Sequence, residues 1–239
     1  MNRRQVTTAI VSAMHEELAA VLALMPDERR QQAAGRDFWV GHLHGQPVVA
    51  VLSRIGKVAA ATTATVLIER FGVKRIVFTG VAGGLASQVQ VGDIVVADSF
   101  LQHDLDASPI FPKYQVPLYG LDRFATDPAL SAQLIRASRS ALAQAPLHQG
   151  LVVSGDRFVA TTAESLALQR ALPQALAVEM EGAAFAQVCH DYGVPFAAVR
   201  TISDRADDGA HGDFVRFVRE VASHYSAAII GAFLAAAPA

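Results

Sequence analysis

The stretch VEMEG, residues 178–182, sets two glutamates one residue apart at the end of an apolar run. Side chains of an extended segment alternate with period two, so Glu179 and Glu181 point to the same side. A carboxylate so placed suits a vicinal diol, because it accepts two hydroxyl hydrogens at once. The competing reading is capping of a helix over residues 182–192, since helix N-termini favour acids. Four other apolar runs end in comparable fashion. The first delivers Met14-His15-Glu16-Glu17, where capping and chemistry both fit. TGVAGGL, 79–85, has three glycines that allow close approach of a ligand and leave N–H donors free. It is neither a Walker phosphate loop nor the dinucleotide fingerprint, and a plain turn also explains it. GDRFV, 155–159, offers Phe158 as a stacking surface or as core, core being the commoner fate beside a strand. Finally, PFAAV runs straight into Arg200-Thr201-Ile202-Ser203-Asp204-Arg205. Asp204 fits either a salt bridge to Arg200 or Arg205, or an acid. One capping glutamate is ordinary. Glu17, Glu181 and Asp204 converging on one edge of a sheet indicate a site.

Such convergence needs strands that end side by side. Residues 5–14 read as a strand leading into a helix at 15–25, and residues 38–53 as a hairpin with Gly45 near its turn. Residues 56–71 have helical periodicity, and 74–80 form a continuous apolar run expected to be covered on both faces. Residues 91–104 give one or two strands. Asp127 and Pro128 mark a helix start as N-cap and first-turn proline. Residues 150–156, 175–180 and 195–204 are three further strands. A last helix from about Phe214 aligns Phe214, Phe217, Val218, Val221 and Tyr225 on one stripe. Alternating strands and helices predict an α/β fold with a mostly parallel central sheet. Ligands of such sheets bind beyond the carboxyl ends of the strands.

Composition narrows the function classes. The 239 residues suit one domain, 1–239, and 52% hydrophobic against 18% charged residues supports a sizeable core. A formal net charge of −2 gives no reason to expect nucleic acid or an anionic membrane as partner. A single cysteine, Cys189, excludes an intramolecular disulfide and a cysteine metal cage, and fits a reducing compartment. The start, MNRRQVTTAIVSAMHEE, superficially suggests a signal peptide. Its apolar stretch is broken by Thr7, Thr8 and Ser12, which favours a first strand. No apolar run reaches the length of a membrane span.

Taken together, AMHEEL (13–18), IGKVAAATTAT (55–65), TGVAGGLASQVQVGDIVVAD (79–98), GLVVSGDRFV (150–159) and AVEMEGAAFAQVCHDYGVPFAAVRTISDRAD (177–207) resemble the 5′-methylthioadenosine/S-adenosylhomocysteine nucleosidases. These belong to the nucleoside phosphorylase superfamily. The resemblance covers most of the chain, and VEME followed by R-x-ISD is its most specific part. It implies a three-layer α-β-α sandwich around a mixed sheet, and hydrolysis of an adenine N-glycosidic bond. It implies that Glu17 activates the attacking water with Arg200 nearby, and that Asp204 protonates N7 of the departing base with help from Ser203. Glu181 would bind the ribose hydroxyls and Met180 would pack on the sugar. Phe158 would stack on adenine and the backbone of Val159 would meet its edge. Ala82 and Gly83 would line the pocket, and Phe214 would help close it. A cytoplasmic homodimer acting on a small-molecule nucleoside, with no cofactor and no metal, is also implied. Cleavage builds positive charge on the sugar and negative charge on the base, so a nearby carboxylate and an acid at N7 answer the two demands. Asp204 is therefore expected to hold a proton near neutral pH, and Glu17 to be ionised. The small residues after VEMEG would let the next helix pack closely on the sheet.

Three departures qualify the resemblance. Val81 stands where a serine commonly touches the nucleophilic water. Residues 103–120, with Pro109, Pro112 and Pro117, replace an aromatic, glycine-rich segment that lines the 5′-substituent pocket, partly from a second subunit. Arg54 stands where glycine is commoner. Phosphorylases of the superfamily are the main competing enzymes, because they hold phosphate with arginines. One of these normally occupies the place of Phe78, which favours water, while Arg54 keeps the phosphorylase reading open. A futalosine-type nucleosidase would share the same reaction with a different 5′-substituent. A catalytically silent nucleoside sensor would share the binding without the chemistry, and the presence of Glu17, Glu181 and Asp204 argues against it.

Overall fold

Alternating strands and helices make up the computed structural model, which describes residues 7–236. The strands are β1 Thr8–Ser12, β2 Arg29–Ala33, β3 Arg36–Leu43, β4 Gln46–Leu52, β5 Arg75–Gly84, β6 Ile94–Gln102, β7 Arg123–Ala125, β8 Leu147–Ser154, β9 Ala175–Glu179 and β10 Phe196–Asp204. The helices are α1 His15–Leu22, α2 Lys57–Glu69, α3 Pro128–Ala141, α4 Thr162–Ala171, α5 Gly182–Tyr192, α6 Ala210–Phe217 and α7 Ser223–Ala235, with a π-type turn at Val218–Ala222 between the last two. Gln5 and Val6, which begin the expected first strand, lie outside the described residues.

Period-two alternation within the buried strands builds the layers. Ala9, Val11, Ile76, Phe78 and Ala198 face α2 and α5 in one core. Ile10, Val77, Ala197 and Val199 face α1, α3 and α7 in the other. Both faces of the sheet are thus covered, which is why β1 and β10 are buried along their whole length.

The sheet is mixed. Parallel ladders join β1 to β4 and β5, β5 to β10, and β6 through β8 to β9. Antiparallel ladders join β2, β3 and β4 in sequence, β10 to β6, β6 to β7, and β5 to β9. Because β5 pairs with both β9 and β10, the path β5–β10–β6–β8–β9 closes on itself. This partial closure brings the ends of β5, β9 and β10 around one opening.

Local signals behave as expected at most boundaries. Asp127 caps α3 by accepting from Leu130 N at 2.8 Å, with Pro128 following it. The β3–β4 hairpin turns through His44 and Gly45, both at positive φ, as a tight right-twisted hairpin requires. Helix α1 stops at Leu22, short of residue 25, and 91–104 yields the single strand β6. Two strands have no apolar pattern to announce them. RRQQA forms the exposed edge strand β2, whose charges protect an open edge from mispairing, and β7 is three residues long.

Close packing of α5 on the sheet rests on Gly182. A Cβ there would lie 2.2 Å from Phe100 Cε1, and Phe100 is fully buried. Gly182→Ala is therefore expected to lower stability by about 1–3 kcal/mol through overpacking. A urea denaturation midpoint equal to that of wild type would contradict this packing.

Candidate active site

A cavity of about 390 Å³ opens beyond the carboxyl ends of the strands, where an α/β sheet holds its ligands. The end of β5 supplies Ala82 and Gly83, and the end of β9 supplies Met180 and Glu181. The end of β10 supplies Ser203 and Asp204, the loop after β8 supplies Phe158 and Val159, and α6 supplies Phe214. Glu17 and Arg200 sit behind this lining, buried, close to the backbone of Gly80. A Cβ on Gly80 would lie 3.6 Å from Arg200 Nη1 and 3.9 Å from Glu17 Oε2.

The end of β10 departs from regular pairing. Its register against β5 shifts between Ile202 and Asp204, as a bulge does. Neighbours on a regular strand would face opposite sides, yet Ser203 and Asp204 both line the cavity. Ser203 Oγ donates to Asp204 Oδ2 at 2.8 Å, and Ala206 N donates to Oδ1 at 2.8 Å. Asp204 is 1% exposed. Gly83 makes room for it, since a Cβ there would lie 2.9 Å from Asp204 Oδ1. Both arginines that the sequence offered to it are engaged elsewhere. Arg205 donates to Ala86 O at 3.0 Å, and Arg200 pairs with Glu179.

Glu181 is held from across the opening. Gly56 N donates to its Oε1 at 2.8 Å, and Gly56 takes φ 94, open to glycine at little cost. Asp156 fixes the next residue by accepting from Lys57 N at 2.7 Å. Burial, then the neighbouring Glu179 charge, push the Glu181 carboxyl up to about 7. Its side chain does not cap α5.

Glu179 does that, and more. Its two oxygens accept from Gly182 N at 3.0 and 2.9 Å and from Glu181 N at 3.2 Å, and Ser154 Oγ also donates to it. Arg200 Nη2 pairs with Glu179 Oε2 at 2.8 Å, both side chains being almost wholly buried. The guanidinium lies 4.0 Å above the Phe78 ring and donates from Nη1 to Phe78 O and Val199 O, each at 3.2 Å. Sequence reasoning gave Glu179 only the capping task. Its link to Arg200 joins β9 to β10 and carries no signal in the spacing of the chain.

Glu17 differs from expectation. Burial pushes its carboxyl up to about 8, and the Arg200 charge opposes this without cancelling it. The physical reason is that Arg200 is already paired with Glu179, while Glu17 is 0% exposed. Met14 N donates to Oε2 at 3.3 Å, and Oε1 has no hydrogen-bond partner among the described residues. Glu17 is therefore held protonated near neutral pH, not ionised.

Phe158 resolves from the two readings toward the cavity. It is 40% exposed, and its ring meets Phe214 edge-on at 5.6 Å, so it is not a core residue. His211 joins the lining unannounced by any motif. Arg54 does not line this cavity. It takes φ 64 and turns to Gly35 O, so the phosphorylase reading loses its arginine.

Residues 7–235 match the phosphorylase superfamily. A 5′-methylthioadenosine/S-adenosylhomocysteine nucleosidase of Shewanella putrefaciens is 36% identical over 221 residues, 90% of this chain and 93% of that one. The chain belongs to this nucleosidase family. The nucleosidase of Neisseria meningitidis, solved in complex with methylthio-immucillin-A, superposes with a TM-score of 0.92 at 34% identity, covering 97% of this chain and 99% of that one. Futalosine hydrolase of Helicobacter pylori superposes with a TM-score of 0.89 at 33% identity, covering 95% and 97% of the two chains. The nucleosidase fold thus hosts more than one nucleoside specificity.

The raised Glu17 carboxyl has a consequence for stability. An ordinary glutamate ionises near 4.5 and the folded Glu17 near 8. Between these values the folded protein keeps a proton that the unfolded chain has released, so stability falls as pH rises. The contribution is full below the lower value and lost above the higher one. Glu17→Gln cannot ionise. Its stability relative to wild type is expected to rise from about pH 5 to about pH 8, read from urea midpoints. A relative stability that stays constant or falls over this range would exclude the raised carboxyl.

Proposed function

We propose that this nucleosidase hydrolyses 5′-methylthioadenosine and S-adenosylhomocysteine, releasing adenine. The observation that carries the reading is one cavity with two buried carboxyls, Asp204 and Glu181, on its wall and Glu17 and Arg200 buried behind it, which suits an acid and a diol ligand. Phe158 and Phe214 supply the aromatic side for the base, and Met180 packs against the sugar. The backbone of Val159 meets the adenine edge, and Ala82 and Gly83 floor the pocket.

Asp204 delivers its proton to N7 as the C1′–N9 bond breaks, with Ser203 holding the carboxyl in place. Water adds its oxygen to C1′, and its proton passes to Glu17. Glu17 acts as base only when ionised, and the cationic sugar of the transition state favours that form. The same positive charge favours ionised Glu181 as it grips the hydroxyls. Arg200 steadies the ionised Glu17 by charge. The reaction needs neither phosphate nor a cofactor. Where a phosphorylase carries an arginine, the Phe78 ring lies under Arg200. The likeness to a futalosine hydrolase supports a second reading, a nucleosidase for a different 5′-substituent, because residues 103–120 depart from the nucleosidase pattern.

The chain, residues 1–239, acts as one domain and pairs with a second copy of itself. Val58, Ile110 and Leu118 are 80%, 81% and 92% exposed, an apolar display that a second subunit would cover. A cytoplasmic setting suits the buried free thiol of Cys189.

In phosphate-free buffer the protein is expected to convert methylthioadenosine to adenine and methylthioribose. A strict need for phosphate, with a ribose 1-phosphate product, would overturn hydrolysis, and turnover of futalosine alone would move the assignment to the second reading. Asp204→Asn is expected to lower kcat by about 10²–10⁴-fold with an unchanged circular dichroism spectrum. Full turnover would remove Asp204 as the acid. By light scattering, the wild-type protein is expected to have the mass of a dimer and Leu118→Asp to shift it toward monomer. A monomeric wild type would end the dimer proposal.

A further inference from the structure

We propose that a second cavity, separate from the catalytic one, binds a small organic anion with an apolar or aromatic portion. This cavity measures about 500 Å³. Leu18 and Leu22 of α1 and Leu52 at the end of β4 give it an apolar floor, and Trp39 of β3 forms a wall. Arg36 and Arg54 supply its positive charge. The two cavities lie on either side of the same short segments. Met14 and Ile55 face the catalytic one, whereas His15 and Arg54 face the second.

The arginines are arranged as an incomplete site. Arg36 holds Ala34 O at 2.8 Å and Ala59 O at 3.1 Å through its terminal nitrogens. Its Nε is buried with no hydrogen-bond partner among the described residues, and an unmatched buried donor is costly. Burial and then the neighbouring Arg54 charge weaken the hold of Arg36 on its proton. The two guanidiniums hold the adjacent carbonyls of Ala34 and Gly35, which sets their like charges near each other. Asp37, also in the lining, is already engaged by Gln32 Nε2 at 3.0 Å and Arg30 Nη1 at 3.6 Å. An anion beside the arginines would offset their like charges, and guanidinium groups match the planar oxygens of carboxylates and phosphates. Arg54 reaches this place through a left-handed backbone, φ 64, a conformation that persists in an arginine only where its surroundings enforce it. Leucines and Trp39 then accommodate an apolar body.

Trp39 is the sole tryptophan of the chain, so its fluorescence reports this cavity directly. Phenyl phosphate and benzoate are titrated separately, with benzyl alcohol as the uncharged comparison. At least one of the two anions is expected to give a saturable change that benzyl alcohol does not, and the anion that saturates at lower concentration assigns phosphate ester or carboxylate. Arg54→Gly suits the left-handed backbone and is expected to weaken binding about tenfold or more. Arg54→Asn is the second variant should the first not fold. Saturating adenine is expected to leave the titration in place. No saturable change at millimolar anion, an undiminished response in the folded Arg54 variant, or loss of the response in adenine would each overturn the proposal. None of these readings depends on nucleosidase activity.

Discussion

The buried ion pair between Glu179 and Arg200 is the constraint on which the site depends. Burying two charges is expensive, and only good geometry with further hydrogen bonds offsets it. Here those bonds are present. Glu179 accepts from Arg200, Ser154, Glu181 N and Gly182 N, and Arg200 donates to the carbonyls of Phe78 and Val199. The pair ties the end of β9 to β10 and β5, and it starts α5. In doing so it fixes where Glu181 leaves its strand and where the Arg200 charge sits relative to Glu17.

One arginine cannot serve three buried carboxylates equally. Glu179 takes the direct contact, and Glu17 and Glu181 feel Arg200 only through space. Burial raises both carboxyls toward or above neutrality, and the through-space attraction of Arg200 does not cancel it. Positive charge developing on a sugar in such a cavity would favour the ionised form of both groups at once. The electrostatics of the site and the chemistry proposed for it follow from the same burial of carboxyls around one already-paired arginine.

Close backbone approach is the second constraint. Gly83 gives Asp204 its place, Gly80 lies against Arg200 and Glu17, and Gly182 lets α5 settle on Phe100. The glycines of TGVAGGL act by what they leave out, and no phosphate is needed to explain them. Pairing of β5 with β9 on one side and β10 on the other then gathers the three strand ends around one opening.

Much of this was legible in the sequence. Continuous apolar runs dictated buried strands, the Asp127-Pro128 and Gly45 signals marked element boundaries, and the clustering of Glu17, Glu181 and Asp204 at strand ends pointed to one edge of the sheet. These features are local, and periodicity and turn chemistry report local structure. Edge strand β2 was hidden because an exposed edge carries no apolar pattern. The side to which Phe158 turns, the ionisation of Glu17, the role of Glu179 and the destination of Arg54 were decided only by tertiary structure. Each depends on a partner far along the chain or on total burial. Arg200 lies 21 residues from Glu179 yet contacts it directly. A bulge of one residue at the end of β10 brings Ser203 and Asp204 to one cavity, and no spacing in the sequence announces it.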